Sequence, residues 1–162
     1  MVSFEFEITV KPEWVDYNCH MRDSNYGLIF SLAVDAVQDE VGFDAAYRKR
    51  TGCTIYLVED HKYYLQEVNA GDLLRVSTHV LGVDDKRFHL YMIMTKDGEE
   101  VCIGEFMEMH VNKHPKPHST SMPQEIRQRL ISYHESSTVD ALASRRSRQL
   151  QLSSSSKKEI YD

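Results

Sequence analysis

The chain has 162 residues, enough for one compact core and too few for two ordinary domains. Apolar residues make up 41% and aromatic ones 10%, which excludes a disordered chain, and no apolar run approaches the roughly 20 residues of a membrane-spanning helix. A formal charge of −6 argues against a phosphate-backbone binder, so neither nucleic acid nor membrane is expected as a partner.

The N-terminal stretch MVSFEFEITV lacks the basic and apolar regions of a secretory signal. Cys19, Cys53 and Cys102 are scattered, with no CxxC spacing, which points to a reducing cytoplasm. From Asp140 onward five basic residues stand against three acidic ones, leaving 14 basic and 22 acidic residues in an acidic body.

Phe4, Phe6, Ile8 and Val10 alternate with polar residues, the period of a half-buried strand that Lys11-Pro12 ends. Residues 13–23 follow neither period and read as a loop. From Ser24 to Val41 the spacing of Leu28, Ile29, Leu32, Ala33, Ala36 and Val37 predicts a long helix with a broad apolar face, stopped by Gly42. A short helical turn is expected up to Arg50. Residues 54–67 then read as a long strand, rich in β-branched and tyrosine residues. Turns at Asn69–Asp72, Asp84–Lys86 and Lys96–Glu99 separate three more strands, Leu73–Val83, Phe88–Thr95 and Val101–Val111. Pro115, Pro117 and Pro123 break the chain before a helix over 124–133.

The order is strand, long helix, then four antiparallel strands. It predicts an α+β domain over residues 1–135, with a sheet of about five strands wrapped around the helix. Residues 136–162 form a polar, Ser-rich tail, expected to be flexible apart from a weak helix over 139–150. His110, His114 and His118 share the spacing of a helical metal face, but Pro115 and Pro117 forbid that helix, so no metal is expected. Phosphate-binding glycine loops, nucleophile elbows and dinucleotide fingerprints are absent, and no cofactor is implied.

Chemistry concentrates in Trp14-Val15-Asp16-Tyr17-Asn18-Cys19-His20-Met21-Arg22-Asp23-Ser24-Asn25-Tyr26, where a carboxylate precedes a helix start. Helix N-termini offer unpaired N–H groups and a positive dipole end to a developing oxyanion. Asp16 is placed to act on a carbonyl held there, as a nucleophile or as a base activating water. The bland reading of Asp16 is a carboxylate capping a turn. His20 is read as a loop-orienting or substrate-contacting residue, with a structural hydrogen-bonding role as the alternative.

The segment resembles the 4-hydroxybenzoyl-CoA thioesterase family of hotdog proteins. The resemblance continues through Tyr63-Tyr64-Leu65-Gln66-Glu67-Val68, Ala70-Gly71-Asp72 and Lys86-Arg87-Phe88-His89, covering roughly residues 4–112. It implies an acyl-CoA thioesterase with Asp16 as the catalytic carboxylate and Asp23 at the oxyanion-hole N–H, its side chain also capping the helix. It further implies that Lys86 and Arg87 contact coenzyme A phosphates, the equal alternative being an ordinary basic hairpin tip at the surface. Edge-paired homodimers, often stacked as homotetramers, are the assemblies it implies. Cys19 departs from the family, which usually has Gly there. Either the loop is relaxed, or Cys19 tolerates a strained backbone. A thiol nucleophile is the alternative use of that residue.

The fuller string resembles the betainyl-CoA branch of the family, associated with carnitine degradation. A quaternary ammonium suits aromatic faces, so Trp14, Tyr17 and Tyr26 are candidate substrate contacts, with Asp23 or Glu59 adding charge; for each single aromatic, packing in the core or as a helix staple is the favoured alternative. Glu59 and His61 share a strand face by the period of two; Glu59 is a candidate for lining the acyl pocket across a subunit interface, with a solvated or buried structural pair as the favoured alternative. The alternatives are a thioesterase for another acyl group, a catalytically silent hotdog protein that binds acyl-CoA or scaffolds a partner, and a hotdog dehydratase.

Overall fold

The computed structural model describes residues 3–136 and 145–147. β1 (Phe4–Thr9) buries Phe4 and half-buries Phe6 and Ile8, while Glu5, Glu7 and Thr9 face solvent. Within the expected loop, Pro12–Trp14 forms a single 3-10 turn, with Pro12 at its start.

α1 (Asp23–Val41) buries one stripe, Tyr26, Ile29, Phe30, Ala33, Val34, Val37 and Val41, and ends at Gly42 with φ 110°. The apolar face is narrower than expected, because Leu28 and Ala36 face solvent in the single chain. α2 (Ala45–Thr51) is capped by Asp44, whose carboxylate accepts the Tyr47 N–H at 2.8 Å.

The remaining strands are β2 (Cys53–Tyr64), β3 (Leu73–Val83), β4 (Arg87–Lys96), β5 (Glu99–Asn112) and the two-residue β6 (His118–Ser119). They form one antiparallel sheet in the order β1-β3-β4-β5-β2, with β6 on β5. The inner face supplies Leu74, Val76, Leu90, Met92, Met94 and Phe106, which pack with the α1 stripe into the main core. Each such side chain contributes roughly 1.5–3 kcal/mol by leaving water. Gly104 is required where β5 passes under Phe106, because a Cβ there would lie 2.3 Å from the Phe106 ring.

Two details of β2 position the site. Its register with β5 slips between Leu57 and Glu59, so Val58 is bulged. It also ends at Tyr64 rather than near residue 67, since the Leu65 and Gln66 N–H groups converge on the Val101 carbonyl and the chain turns away. The Val68 carbonyl then accepts the Met21 N–H at 2.9 Å, fastening the loop before α1 to the end of the sheet.

α3 (Gln124–Ser136) lies against β3 and β1, with Tyr133 stacked on Phe4 at 3.9 Å between ring centroids. Arg145–Ser147, within the expected flexible tail, cross the outer face of the sheet. The Arg146 Nε and the Ser147 N–H both donate to Glu105, and the Arg145 N–H donates to the Tyr91 hydroxyl. These three residues are not helical; the rest of the expected weak helix over 139–150 and the Ser-rich stretch lie outside the described residues.

Candidate active site

Val15 and Met21 form an isolated antiparallel bridge, and residues 16–20 close a tight hairpin between them. The Asp16 N–H donates to the His20 carbonyl at 3.0 Å, and the Cys19 N–H donates back to the Asp16 carbonyl at 3.0 Å. This is a three-residue loop with a left-handed residue in its last position. Cys19 is that residue, at φ 64°, so the chain keeps the geometry a glycine would serve and bears the strain. Its thiol is exposed.

The hairpin presents the Asp16 carboxylate half-buried. One oxygen accepts the Asn18 N–H at 2.8 Å, the turn-capping contact of the bland reading, and the other oxygen has no hydrogen bond among the described residues. Asp16, His20, Asp23, Tyr26, Tyr64 and Glu67 line one open cleft of about 370 Å³ at the N-terminus of α1.

The N-cap of α1 is Arg22, without a side-chain cap, and Asp23 is the first helical residue. The Asp23 carboxylate is therefore not the N-cap. It accepts the neighbouring Ser24 N–H at 2.8 Å, and the Asn25 N–H is taken by the Arg22 carbonyl. The Asp23 N–H itself has no hydrogen-bond partner among the described residues, and Asp23 lines the cleft at the helix end where the dipole is positive.

Tyr26 is buried, and its hydroxyl donates to the Gln66 carbonyl at 3.2 Å. Burial, with the nearby Cys102, Glu67 and Tyr64, pushes its pKa up to about 12, so it stays a neutral phenol. Tyr64 meets Tyr26 edge-on at 5.3 Å, and burial together with Cys102 and Asp23 raises its pKa as well. His20 pairs through Nε2 with Glu67 at 3.0 Å, which fixes the ring beside the hairpin.

The other sequence candidates fall elsewhere. Trp14 is only 8% exposed within the main core, and Lys11 stands over its indole at 5.2 Å. Tyr17 sits at the hairpin tip, 93% exposed. The bulge at Val58 turns Glu59 and His61 to the outer face, where they line a separate cavity with His89 and Glu105. Lys86 ends the turn before β4 and Arg87 opens that strand, held by Asp84 at 2.7 Å. Along β5 that turn lies beside Met109, whereas the cleft lies beside Cys102, a separation of seven residues or roughly 23 Å at ~3.3 Å per residue. One chain does not bring Lys86 and Arg87 to its own Asp16 cleft.

Sequence reasoning left Tyr64 and Glu67 unassigned. Both lie in the Tyr63–Val68 stretch of the resemblance, and only the early end of β2 shows that this stretch folds against the hairpin. Glu108, 4% exposed on the inner face of β5, was also missed, although its place between Phe106 and His110 in the inward register signals a buried carboxylate.

Residues 10–130 match the model of the thioesterase-like superfamily. The chain is 38% identical to the betainyl-CoA thioesterase of Pseudomonas aeruginosa over 109 residues, 66% of this chain and 69% of that one. It is 45% identical to the L-carnitine dehydrogenase/betainyl-CoA thioesterase of Agrobacterium fabrum over 107 residues, 65% of this chain but only 22% of that longer protein. A Staphylococcus aureus hypothetical protein solved in complex with CoA superposes with a TM-score of 0.79 at 31% identity, covering 83% of this chain and 85% of that one. With one long helix packed against a curled antiparallel sheet and a match over three quarters of its length, the chain belongs to the thioesterase-like superfamily of hotdog enzymes.

Proposed function

We propose that this enzyme hydrolyses a small acyl-CoA thioester, betainyl-CoA, to the free acid and CoA in the Asp16 cleft. The observation that carries this reading is the juxtaposition of a half-buried carboxylate, Asp16, with the unpartnered Asp23 N–H at a helix start. The thioester carbonyl oxygen takes the Asp23 N–H. One such donor is worth about 3–4 kcal/mol once the oxygen becomes anionic.

Asp16 then acts in one of two ways. As a nucleophile, its free oxygen attacks the carbonyl carbon, the C–S bond breaks, and CoA leaves as the thiolate. Water opens the resulting anhydride. As a base, it takes a proton from a water that attacks directly. The neutral phenols of Tyr26 and Tyr64 form an aromatic wall without adding charge beside Asp16.

The functional unit we propose is a homodimer. β2 is an open edge of 12 residues, and Tyr56, Leu57 and Val58 at its middle are 42–52% exposed. Such an edge invites pairing with a second copy. Pairing also offers a second chain's Lys86 and Arg87 as CoA phosphate contacts, which the distance within one chain does not allow.

Asp16→Asn tests the reading, measured by thiol release from a panel of acyl-CoA esters that includes betainyl-CoA. Turnover should fall by about a thousandfold or more, with unchanged folding and assembly. Near-normal turnover in the folded variant refutes the assignment.

A further inference from the structure

Outside the cleft, cations gather at the opposite end of β2. The last turn of α2 carries Arg48, Lys49 and Arg50, and the turn between β5 and β6 carries Lys113 and Lys116. Gly52 brings these two elements together. Its carbonyl accepts the Lys113 N–H at 3.2 Å, and the His114 ring packs so closely that a Cβ on Gly52 would lie 2.8 Å from it. Lys49, Arg50, Lys113 and Lys116 are exposed, and none of them makes an ion pair among the described residues. Lys62, Arg75, Arg87, Lys96 and Arg129, by contrast, each hold a carboxylate. A cation in the last turn of α2 suits the helix dipole. That accounts for neither Lys113 nor Lys116, which belong to another element.

Like charges set side by side repel, and a multivalent anion relieves the repulsion. Coenzyme A carries such anions, a pyrophosphate and a 3′-phosphate, at the far end of its uncharged pantetheine arm. Thirteen bonds separate its sulfur from the first phosphorus, about 15 Å at the ~1.2 Å per bond of an extended chain.

Within one chain the corner is out of reach of that arm. β2 runs 12 residues from Cys53, beside the corner, to Tyr64, which walls the Asp16 cleft, roughly 35 Å at ~3.3 Å per residue. The dimer removes that distance. Antiparallel pairing of β2 with its own copy across a two-fold axis sets each end of the strand against the other end. Centred on the exposed run Tyr56–Asp60, it places Tyr64 opposite Gly52 of the second copy, one strand spacing or about 4.8 Å away. A slip of two residues moves that contact by only ~7 Å. Arg50 and Lys49 lie two and three residues before Gly52, about 3–5 Å at ~1.5 Å per residue, and their long stems carry the charge further. The second copy's cations thus stand on the order of 10–15 Å from Tyr64, within the span of a pantetheine arm that starts in the cleft. Lys86 belongs to the same end of the sheet, its carbonyl accepting the His110 N–H at 2.8 Å.

We propose that Lys49 and Arg50, with Lys113 and Lys116, form a phosphate-binding corner that one chain offers to the CoA moiety of the thioester held in its partner's Asp16 cleft. This inference rests on the acyl-CoA and β2-dimer reading above and adds the residues that hold the nucleotide end of the substrate.

The test compares betainyl-CoA with betainyl-pantetheine, which has the same thioester and no phosphate, by thiol release. In Lys49→Ala/Arg50→Ala the ratio of kcat/KM for the CoA ester over the pantetheine ester should fall about tenfold, with the loss residing in KM. A folding defect lowers both esters together, so Lys113→Ala/Lys116→Ala, on the other element, is measured alongside and should lower the same ratio. Unchanged ratios in both variants overturn the corner. Heterodimers test the partner geometry. An Asp16→Asn chain joined to a Lys49→Ala/Arg50→Ala chain, isolated through a different tag on each, holds one intact site and should show about half of the wild-type kcat/KM for betainyl-CoA. About one twentieth, the value for a corner acting on its own chain's cleft, overturns the shared site.

If the preferred ester carries another acyl group, the same pair of esters is made with that group. If wild type hydrolyses no CoA ester, the hydrolase reading fails on its own, and calorimetric titration with CoA and with pantetheine decides the corner. Tighter binding of CoA than of pantetheine in wild type, lost in Lys49→Ala/Arg50→Ala, supports it. Equal affinity for CoA in wild type and variant overturns it.

Discussion

Glu108→Gln converts an unpartnered buried carboxylate into a neutral amide of the same shape, and its effect on stability should depend on pH. Burial, reinforced by the charge of Asp35, raises the Glu108 pKa from 4.5 to about 7. In the unfolded chain the carboxyl returns to its ordinary value, so between roughly pH 4.5 and 7 the folded state holds a proton that the unfolded state has lost. Stability therefore falls as pH rises through that window. Raising the pKa from 4.5 to about 7 corresponds to about 3 kcal/mol, fully developed only above pH 7. The groups facing Glu108 in its cavity are Asp35 from α1 and the Asp60–Lys62 pair from β2. The measurement is urea unfolding of wild type and variant at pH 5 and pH 8, at one protein concentration. Relative to wild type, Glu108→Gln should gain up to about 3 kcal/mol on going from pH 5 to pH 8. A difference between the two proteins that is the same at both pH values refutes the reasoning, because it would mean that Glu108 is ionised in the folded protein throughout.

Gly104→Ala should cost about 1–3 kcal/mol in the same unfolding assay, because the new Cβ meets the Phe106 ring at 2.3 Å and the ring is hemmed by Phe30. Cys19→Gly should raise stability by up to about 1 kcal/mol by relieving the left-handed backbone at φ 64°, and it should retain turnover; loss of thiol release in that folded variant would implicate the Cys19 sulfur in the chemistry. Trp14→Ala should act through the core, lowering stability by about 3–5 kcal/mol, and should leave the preference between betainyl-CoA and its neutral isostere, 3,3-dimethylbutanoyl-CoA, where it was. A selectivity change in Trp14→Ala would restore the indole to the acyl site.

The elements that could be read from sequence are those whose information is local. The α1 stripe follows from three- and four-residue spacing ending at Gly42, and the Lys96–Glu99 hairpin follows from Asp97-Gly98, both of which adopt positive φ. The Asp16 hairpin was legible as chemistry but not as geometry. Nothing local says that Cys19 would accept φ 64° or that the Asp16 N–H would be tied to the His20 carbonyl. Trp14 was open to two readings from sequence, a site aromatic beside Asp16 or a core residue, and spacing could not choose between them. The 3-10 turn at Pro12 rotates it into the core, where the area it removes from water outweighs any surface role.

The bulge at Val58 is the decisive non-local feature. A strict period of two puts Glu59 on the same face as Ile55 and Leu57, toward α1 and the acyl group. One extra residue in β2 reverses that parity: Asp60 and Lys62 turn inward to pair under the helix, and Glu59 and His61 turn outward toward His89 and Glu105. The inward carboxylates of this fold are then set by the β2 bulge and by β5, whose alternation from Cys102 to His110 carries Glu108 into the interior.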